Sequence, residues 1–300
     1  MTVLLQVDRL TKRYGAHHAA ENLSFELEEH TSTALIGPNG AGKTTTLSML
    51  AGLVSPSSGT LRLLEGSRQD LRPYIGFLPQ YPKFFPWLSG LEFTEMTARL
   101  SGMEVRRARM EAQKTLEFVG LGDALNKKAG VFSGGMKQRL GLAQAIVHKP
   151  KLLLLDEPVS ALDPVGRRQV MNLLKELQQE TTILYSTHIL NDAEEMTDQL
   201  LFLRKGLLVE QGSLSAVRDT YADPRIVIEF ETANDMRRFA EEAPWQMAMS
   251  GCVATIDVMS QKADMSSVLS VLNRGSFSVL KVELQKASLE EIFMKVALAE

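Results

Sequence analysis

The chain is poor in several features that define whole classes of protein. It has one cysteine, Cys252, in 300 residues, so no disulfide can form within it and no multi-cysteine zinc site is available. No stretch approaches the ~18 consecutive apolar residues that a membrane-spanning helix requires. The N-terminal segment lacks the basic start and long apolar core of a secretory signal. We therefore expect any role at a membrane to come through a partner, and the low cysteine content fits a reducing compartment.

A strong excess of either charge is also missing. The 33 lysines and arginines nearly balance the 36 acidic residues, which leaves a net charge of −3. Because non-specific nucleic-acid binding needs a strong basic field, this balance argues against a nucleic-acid partner. The composition of 44% hydrophobic and 23% charged residues is ordinary for a globular protein. At roughly 150 residues per domain, the length predicts about two domains.

The order of apolar runs predicts an α/β fold, since short strand-like runs alternate with helical patterns. Residues 84–148 are mainly helical and are expected to form an insertion between two halves of the sheet domain. Residues 221–300, after the boundary segment Tyr221–Pro224, have the pattern of three strands and three helices. We therefore expect one large α/β domain over residues 1–220 and a small C-terminal α+β domain over residues 221–300. The predicted strands of the first domain are Val3–Val7, Leu23–Leu27, Ala34–Ile36, Leu152–Leu155 and Ile183–Ser186, and a helix is expected over Thr44–Leu53.

The strongest local motif is a phosphate-binding loop that fits G-x-x-x-x-G-K-[ST]. Its glycines allow a tight turn whose N–H groups point at phosphate, and the following helix adds the positive end of its dipole. Lys43 is expected to reach the β- and γ-phosphates, and Thr44 to ligate Mg²⁺. The candidate cofactor-binding residues here are Gly37, Pro38, Asn39, Gly40, Ala41, Gly42, Lys43, Thr44 and Thr45.

A pair of carboxylates adds to this motif. The apolar run Leu152–Leu155 leads directly into Asp156 and Glu157. A buried strand would deliver Asp156 to the carboxyl end of the sheet, where ligands bind in open α/β folds. Asp156 is then a candidate Mg²⁺ ligand, and Glu157 a candidate base that orients and deprotonates an attacking water. Taken alone, two solvated acids capping a strand would explain the pattern equally well.

These motifs together resemble the ATP-binding subunit of ABC transporters over about residues 3–220. The resemblance implies a P-loop ATPase sandwich with an antiparallel β subdomain and a helical insertion. It also implies that Tyr14 stacks on adenine, that Gln80 links metal and water to the transmembrane partner, and that His188 contacts the γ-phosphate. Residues 160–163 match the loop that follows the catalytic glutamate. Individually, Tyr14, Gln80 and His188 also fit ordinary structural roles, and the other histidines, His17, His18, His30 and His148, are interpreted as ordinary.

The most diagnostic stretch resembles the signature motif of that family. Ser133, Gly134 and Gly135 precede a basic helix and would form an anion site at its N-terminus. In the family this site closes over the γ-phosphate held by a second protomer, so two chains enclose two ATP molecules. The second protomer is either another copy of this chain or a homologous ATPase subunit. Phe132 and Met136 depart from the family pattern of leucine and glutamine at the two ends.

The resemblance implies an ATPase, with ATP and Mg²⁺ as cofactors, that powers a separate integral-membrane permease from the cytoplasmic face of the membrane. The signature and the ending at 287–293 resemble the drug and antibiotic exporter branch. The aromatic segment Tyr81–Trp87 fits either a groove for the permease or packing of the helical insertion. Two alternatives remain open: a non-transport ABC ATPase, and an importer subunit whose C-terminal domain regulates it.

Overall fold

The structure, a computed structural model, describes residues 2–63, 70–160, 162–221, 224–285 and 288–298. The chain divides into two compact units, Met1–Leu214 and Ser215–Glu300, so the first unit ends earlier than the boundary expected after residue 220. Four residues of the predicted motifs and boundary lie outside the described residues: Ala161, Ala222, Asp223 and Ala287.

The first unit combines two sheets with the helices α1 to α6. Its described strands are β1 Val3–Tyr14, β2 His17–Glu28, β3 Ser32–Ile36, β4 Ser58–Leu63, β5 Ile75–Leu78, β6 Leu152–Asp156, β7 Thr182–Thr187, β8 Gln199–Arg204 and β9 Leu207–Ser213. Its described helices are α1 Lys43–Leu50, α2 Gly90–Leu100, α3 Val105–Phe118, α4 Gly134–Ile146, α5 Pro164–Leu177 and α6 Leu190–Met196. Short 3₁₀ turns occupy Arg72–Tyr74, Gly122–Ala124 and Ala129–Val131.

The larger sheet has the strand order β5-β6-β7-β3-β8-β9. Its neighbours are parallel except for the last pair, β8 and β9, which is antiparallel. The four leucines of β6 are completely buried, which explains why this strand shows no alternation of apolar and polar residues. The predicted α/β fold is confirmed, and the sheet brings the ends of β3, β6 and β7 to one edge.

The smaller sheet is antiparallel, with the order β2-β1-β4. One hydrophobic core joins this sheet to α1 and to the larger sheet, with Leu5, Leu27, Leu47, Leu154 and Leu184 among its fully buried members. The two-layer sandwich and the antiparallel β subdomain expected from the resemblance are therefore present. The first predicted helix, however, ends at Leu50 rather than Leu53, because Gly52 adopts a left-handed φ of +69°.

Helices α2, α3 and α4 lie between β5 and β6 in the chain, as the helical pattern predicted. Ala98, Ala108 and Val147 form a small core among them. Helix α2 begins with a capping box, in which Ser89 accepts from the backbone of Glu92 and the Glu92 side chain accepts from the backbone of Ser89. These helices carry the signature motif at the start of α4.

Helix α7, Leu214–Thr220, spans the division between the units. The second unit has the described strands β10 Arg225–Phe230, β11 Ala248–Ser250, β12 Val253–Asp257 and β13 Val279–Gln285, and the helices α8 Ala233–Glu242, α9 Val258–Gln261, α10 Met265–Arg274 and α11 Leu289–Leu298. They form an antiparallel sheet of order β11-β12-β10-β13 with its own core.

The expectation of three strands and three helices in this unit was wrong, because its described residues include a fourth strand, β11, and a short fourth helix, α9. All three residues of β11 are exposed at an edge of the sheet. A strand that buries nothing leaves no apolar pattern in the sequence, so periodicity could not detect it.

Candidate functional site

The phosphate-binding loop connects β3 to α1, as predicted. Gly40 and Gly42 have φ angles of +80° and +105°, in the left-handed region that favours glycine. Gly42 caps the N-terminus of α1, and a Cβ there would lie 2.3 Å from the backbone oxygen of Ala19. A larger residue at 42 would therefore force the loop away from β2 and change its curvature.

Lys43 lies inside this loop and is only 6% exposed. Its Nζ donates hydrogen bonds to the carbonyl oxygens of Gly37 at 2.7 Å and Pro38 at 3.2 Å. Burial lowers the pKa of the Lys43 ammonium, and the negative charges of Glu157 and Asp156 offset part of that effect. The loop therefore holds a positive charge close to both carboxylates of the predicted site.

A cleft of about 400 Å³ opens over the loop. It brings predicted residues from three distant parts of the chain together, since loop residues, Gln80 and Glu157 all line it. Asp156 is 3% exposed and lies at the end of β6, next to Glu157. The residues lining the cleft are His17, Ala19, Asn39, Gly40, Ala41, Gly42, Lys43, Thr44, Thr45, Gln80 and Glu157.

Glu157 is the point where the predicted catalytic residues meet. Its Oε2 accepts a hydrogen bond from Gln80 Nε2 at 3.2 Å, and its Oε1 lies 3.1 Å from His188 Nδ1. The Glu157 side chain is 10% exposed, whereas that of His188 is 50% exposed. A carboxylate held on both oxygens at the mouth of a phosphate loop can orient a water and accept its proton.

The oxygen donors near the loop suit a hard cation. The hydroxyl of Thr44, the amide oxygen of Gln80 and the carboxylate of Asp156 are ligand types that Mg²⁺ accepts together with phosphate oxygens. Because the amide nitrogen of Gln80 donates a hydrogen bond to Glu157, the amide oxygen of Gln80 is the atom left to act as a metal ligand. In the part of the chain that the structure describes, no group of three or more His, Cys, Asp or Glu residues is arranged to hold a metal, so a bound cation would depend on this mixed set.

The signature residues line a different depression, of about 660 Å³, which shares no residue with the cleft over the loop. Ser133 caps α4, and its Oγ accepts from the backbone of Met136 at 3.3 Å. Ser133 and Gly134 are exposed. Phe132 is buried beside Gly90, whereas Met136 lines the depression. Only the second of the two departures from the family pattern can therefore face a ligand.

Tyr14 stands near the tip of the β1–β2 hairpin, is 51% exposed and is not among the residues that line the cleft. Lys12 Nζ lies 5.0 Å from the centroid of its ring and donates to Ser55 O at 2.8 Å. A cation over one face of the ring fixes its orientation and leaves the other face for a planar partner.

Sequence reasoning missed two residues beside this site. His17, interpreted as ordinary, lines the cleft. Lys12, which contacts the ring of Tyr14, was given no role. The contacts of both depend on the β1–β2 hairpin, in which Tyr14 pairs with His17. A single sequence carries no signal for this pairing beyond the turn residue Gly15.

Volume alone would not select the cleft over the loop, because other cavities of the first unit are larger. A trough of about 570 Å³ in the first unit is lined by Asp8, Glu26, Glu28 and Arg62 among others. Three carboxylates against one guanidinium repel phosphate, and none of the predicted site residues is there. On chemical grounds the smaller cleft over the loop is the better candidate for a nucleotide site.

Comparisons with known proteins show what the chain as a whole is similar to. Residues 20–160 match the family described as ABC transporter. The chain is 42% identical to the uncharacterized ABC transporter ATP-binding protein YxlF of Bacillus subtilis (strain 168), over 98% of this chain and 99% of that protein. It is 29% identical to the bacitracin transport ATP-binding protein BcrA of Bacillus licheniformis, over 99% and 98% respectively.

The fold is also similar to solved structures of the same kind. A dimeric ATP-binding cassette in a post-hydrolysis state, bound to ADP and Pi, matches 70% of this chain and 99% of its own length. The two share 27% identity and a TM-score of 0.64. The similarity thus includes a structure in which ATP has been hydrolysed.

Proposed function

This chain belongs to the ATP-binding proteins of ABC transporters, and we propose that its ATPase activity drives a substrate outward through a separate transmembrane permease. The observation that carries the proposal is the meeting of Glu157, Gln80 and the phosphate loop in one cleft. A phosphate cradle combined with a held carboxylate suits transfer of a phosphoryl group to water.

We assign the binding of ATP phosphates to the loop amides and Lys43. Lys43 already contacts the carbonyls of Gly37 and Pro38, so it needs only a small side-chain movement to contact phosphate. Thr44, Gln80 and Asp156 would hold Mg²⁺, which would neutralise charge on the phosphates when bound. Tyr14, with Lys12 behind its ring, would stack on adenine.

Glu157 then orients the attacking water and accepts its proton. Gln80 and His188 contact the two oxygens of Glu157, so they fix the direction in which it accepts that proton. His188 is also exposed enough to reach the γ-phosphate, the contact that the resemblance implies. These three roles form one catalytic unit, and loss of any member should impair turnover more than binding.

We further propose that each complete site is shared by two chains. The signature residues line a depression that is separate from the cleft, and the exposed Ser133 and Gly134 are free to meet a nucleotide held by another molecule. The dimeric state of the related cassette supports this arrangement. ATP would then act as the link that closes the dimer.

The partner would be an integral-membrane permease, which this chain would bind from the cytoplasmic face of the membrane. No helix in the described ranges is long and apolar enough to cross a membrane. Just after Gln80, Tyr81 and Trp87 are 73% and 63% exposed, whereas Phe84 packs edge-on against Phe93 at 5.1 Å. The segment thus contributes to packing through Phe84 and offers aromatic rings to an amphipathic partner segment.

The similarity to BcrA, whose name describes bacitracin transport, supports a transport role, and the outward direction rests on the resemblance of the signature motif to the exporter branch. The second unit would be an accessory domain for assembly or coupling, since none of the predicted nucleotide contacts falls within it.

The test of export uses the native host without the gene, complemented with wild type or with Glu157→Gln. Wild type should restore resistance to a peptide antibiotic such as bacitracin, and Glu157→Gln should not.

Inside-out membrane vesicles from the same strains give the direction. With the ATP-binding subunit facing the medium, an exporter loads bacitracin into the vesicle when ATP is added. ATP-driven release of preloaded antibiotic would instead support import. Absence of any ATP-dependent movement in either direction, in vesicles that hydrolyse ATP, would support a non-transport ATPase.

A further inference from the structure

Ser186 occupies a position in the site to which the motifs assign no chemistry. It lies at the carboxyl end of β7, where the parallel register pairs it with Asp156 of β6. It is completely buried. Because β7 pairs with β6, the Ser186 hydroxyl lies beside the peptide that joins Asp156 to Glu157.

This hydroxyl makes two hydrogen bonds whose directions are fixed by chemistry. Ser186 Oγ donates to Asp156 Oδ1 at 2.6 Å and accepts from the backbone N–H of Glu157 at 2.9 Å. A carboxylate oxygen can only accept and an N–H can only donate, so the hydroxyl must use both of its capacities here. One side chain therefore bridges the predicted metal ligand and the predicted base.

The bond to Glu157 acts at an unusual point of the backbone. Glu157 has a φ of +49°, in the left-handed region that a residue with a side chain seldom adopts. This turn ends the strand and gives Glu157 the direction in which it meets Gln80 and His188. A residue held in such a conformation depends on its surroundings to stay there, and Ser186 supplies the hydrogen bond to its N–H.

A serine hydroxyl can be buried in this sheet without such a pair of hydrogen bonds. Ser32, in the neighbouring strand β3, is equally buried, and its Oγ has no hydrogen-bond partner within the described ranges. We propose that Ser186 is a positioning residue for ATP hydrolysis, which holds the carboxylate of Asp156 and the backbone of Glu157 in register. The inference rests on the proposed roles of those two residues.

The experiment compares Ser186→Ala with Ser32→Ala in the full-length chain. Both remove one oxygen from a fully buried serine in the larger sheet. Ser186→Ala should lower kcat by about 10- to 100-fold, because a small displacement of reacting groups has effects of that size. Its KM and its equilibrium Kd for ATP should change by less than about twofold, because the loop contacts are intact. Ser32→Ala should retain kcat, KM and Kd.

Two conservative variants separate positioning from folding. Ser186→Thr keeps the hydroxyl and should restore most of kcat if the added methyl group fits. Ser186→Cys keeps the size with a weaker donor and should give an intermediate kcat. Urea unfolding of all four variants identifies any that are not folded at the assay temperature.

The inference is overturned if folded Ser186→Ala retains wild-type kcat, if Ser32→Ala loses as much activity, or if ATP affinity falls together with kcat. Failure of the proposed function gives a different result. If Glu157→Gln turns over normally, both assignments are wrong. If Glu157→Gln is inactive and Ser186→Ala is normal, only the role of Ser186 is wrong.

Discussion

Glu157 Oε1 lies 3.1 Å from His188 Nδ1, so the first residue after β6 and the first residue after β7 meet at a single carboxylate. The parallel pairing of β6 with β7 brings them to the same edge of the sheet. Because Gln80 contacts the other oxygen of Glu157, the carboxylate is held from two sides. The first expectation follows from this position.

Glu157→Gln should retain ATP binding and nearly abolish turnover. The amide keeps the shape of the side chain but cannot accept a proton from water, and loss of a general base typically costs about 10²- to 10⁴-fold in rate. Single-turnover hydrolysis and equilibrium ATP binding measure the two effects separately. Wild-type turnover would remove Glu157 from the role of base.

The shared-site arrangement predicts complementation between two inactive chains. Ser133→Ala lacks the signature hydroxyl, and Glu157→Gln lacks the base. In a mixed dimer, one site combines Glu157 of the first chain with Ser133 of the second, so it is intact. Mixing the two should therefore restore a substantial part of wild-type hydrolysis.

Two further measurements constrain the same prediction. Each variant alone, at the same total concentration, should stay inactive. The wild-type rate should rise more steeply than linearly with protein concentration, since the monomer holds no complete site. A mixture that remains inactive, together with a linear concentration dependence, would show that each chain hydrolyses ATP alone.

Much of the fold could be predicted because it follows from local patterns. The four buried leucines of β6 could only suit a central strand, and Asp163 followed by Pro164 begins α5 with a side-chain cap and a proline in its first turn. Strand β11 could not be predicted, since it is stabilised by pairing with β12 rather than by burial.

The candidate site likewise has a part that could be predicted from the sequence and a part that could not. The loop residues and the Asp156–Glu157 pair are contiguous in sequence, so their types and spacing were readable, although their roles stay predictions. The bridge from Ser186 and the contact of Lys12 with Tyr14 depend on strand order and on a hairpin. A single sequence does not reveal which distant side chains the strand order and the hairpin bring into contact.

Lys43→Met should weaken ATP binding by about 10- to 100-fold, the size expected when a charge-assisted hydrogen bond to phosphate is lost. Methionine has a similar length but no charge, so packing in the loop changes little. Fluorescence titration with a labelled ATP analogue measures the affinity. An unchanged Kd would mean that the loop is not the nucleotide site.

The buried Lys43 also predicts a pH dependence of stability. Burial lowers its pKa below the 10.5 of an unfolded lysine, so between the two values the unfolded chain binds more protons than the folded one. Within that window the free energy of unfolding should rise with pH, by at most about 1.4 kcal/mol per pH unit. Below the window both states are protonated and the contribution is flat.

Lys43→Met is the reference for this measurement, because it lacks the titrating group and keeps the others. The difference in unfolding free energy between wild type and variant, from urea titrations at pH 8 to 10.5, should shift in favour of wild type as pH rises. A difference that stays constant, or moves in favour of the variant, would contradict the assignment of a lowered pKa to Lys43.

A chain that ends at Thr220 should bind ATP with the affinity of the full chain. The residues that line the cleft all lie at or before Glu157, and His188 is the last predicted contact. The core of the first unit ends with residues of β8 and β9, while the core of the second begins at Ile226. The first unit therefore has what it needs to fold, and ending the chain at Thr220 keeps helix α7 intact.

Equilibrium ATP binding, with circular dichroism to verify folding, compares the two chains, and the Lys43→Met variant of the shortened chain reports non-specific binding. A shortened chain that is folded but does not bind ATP would place part of the nucleotide site in residues 221–300 and refute the division of function between the two units.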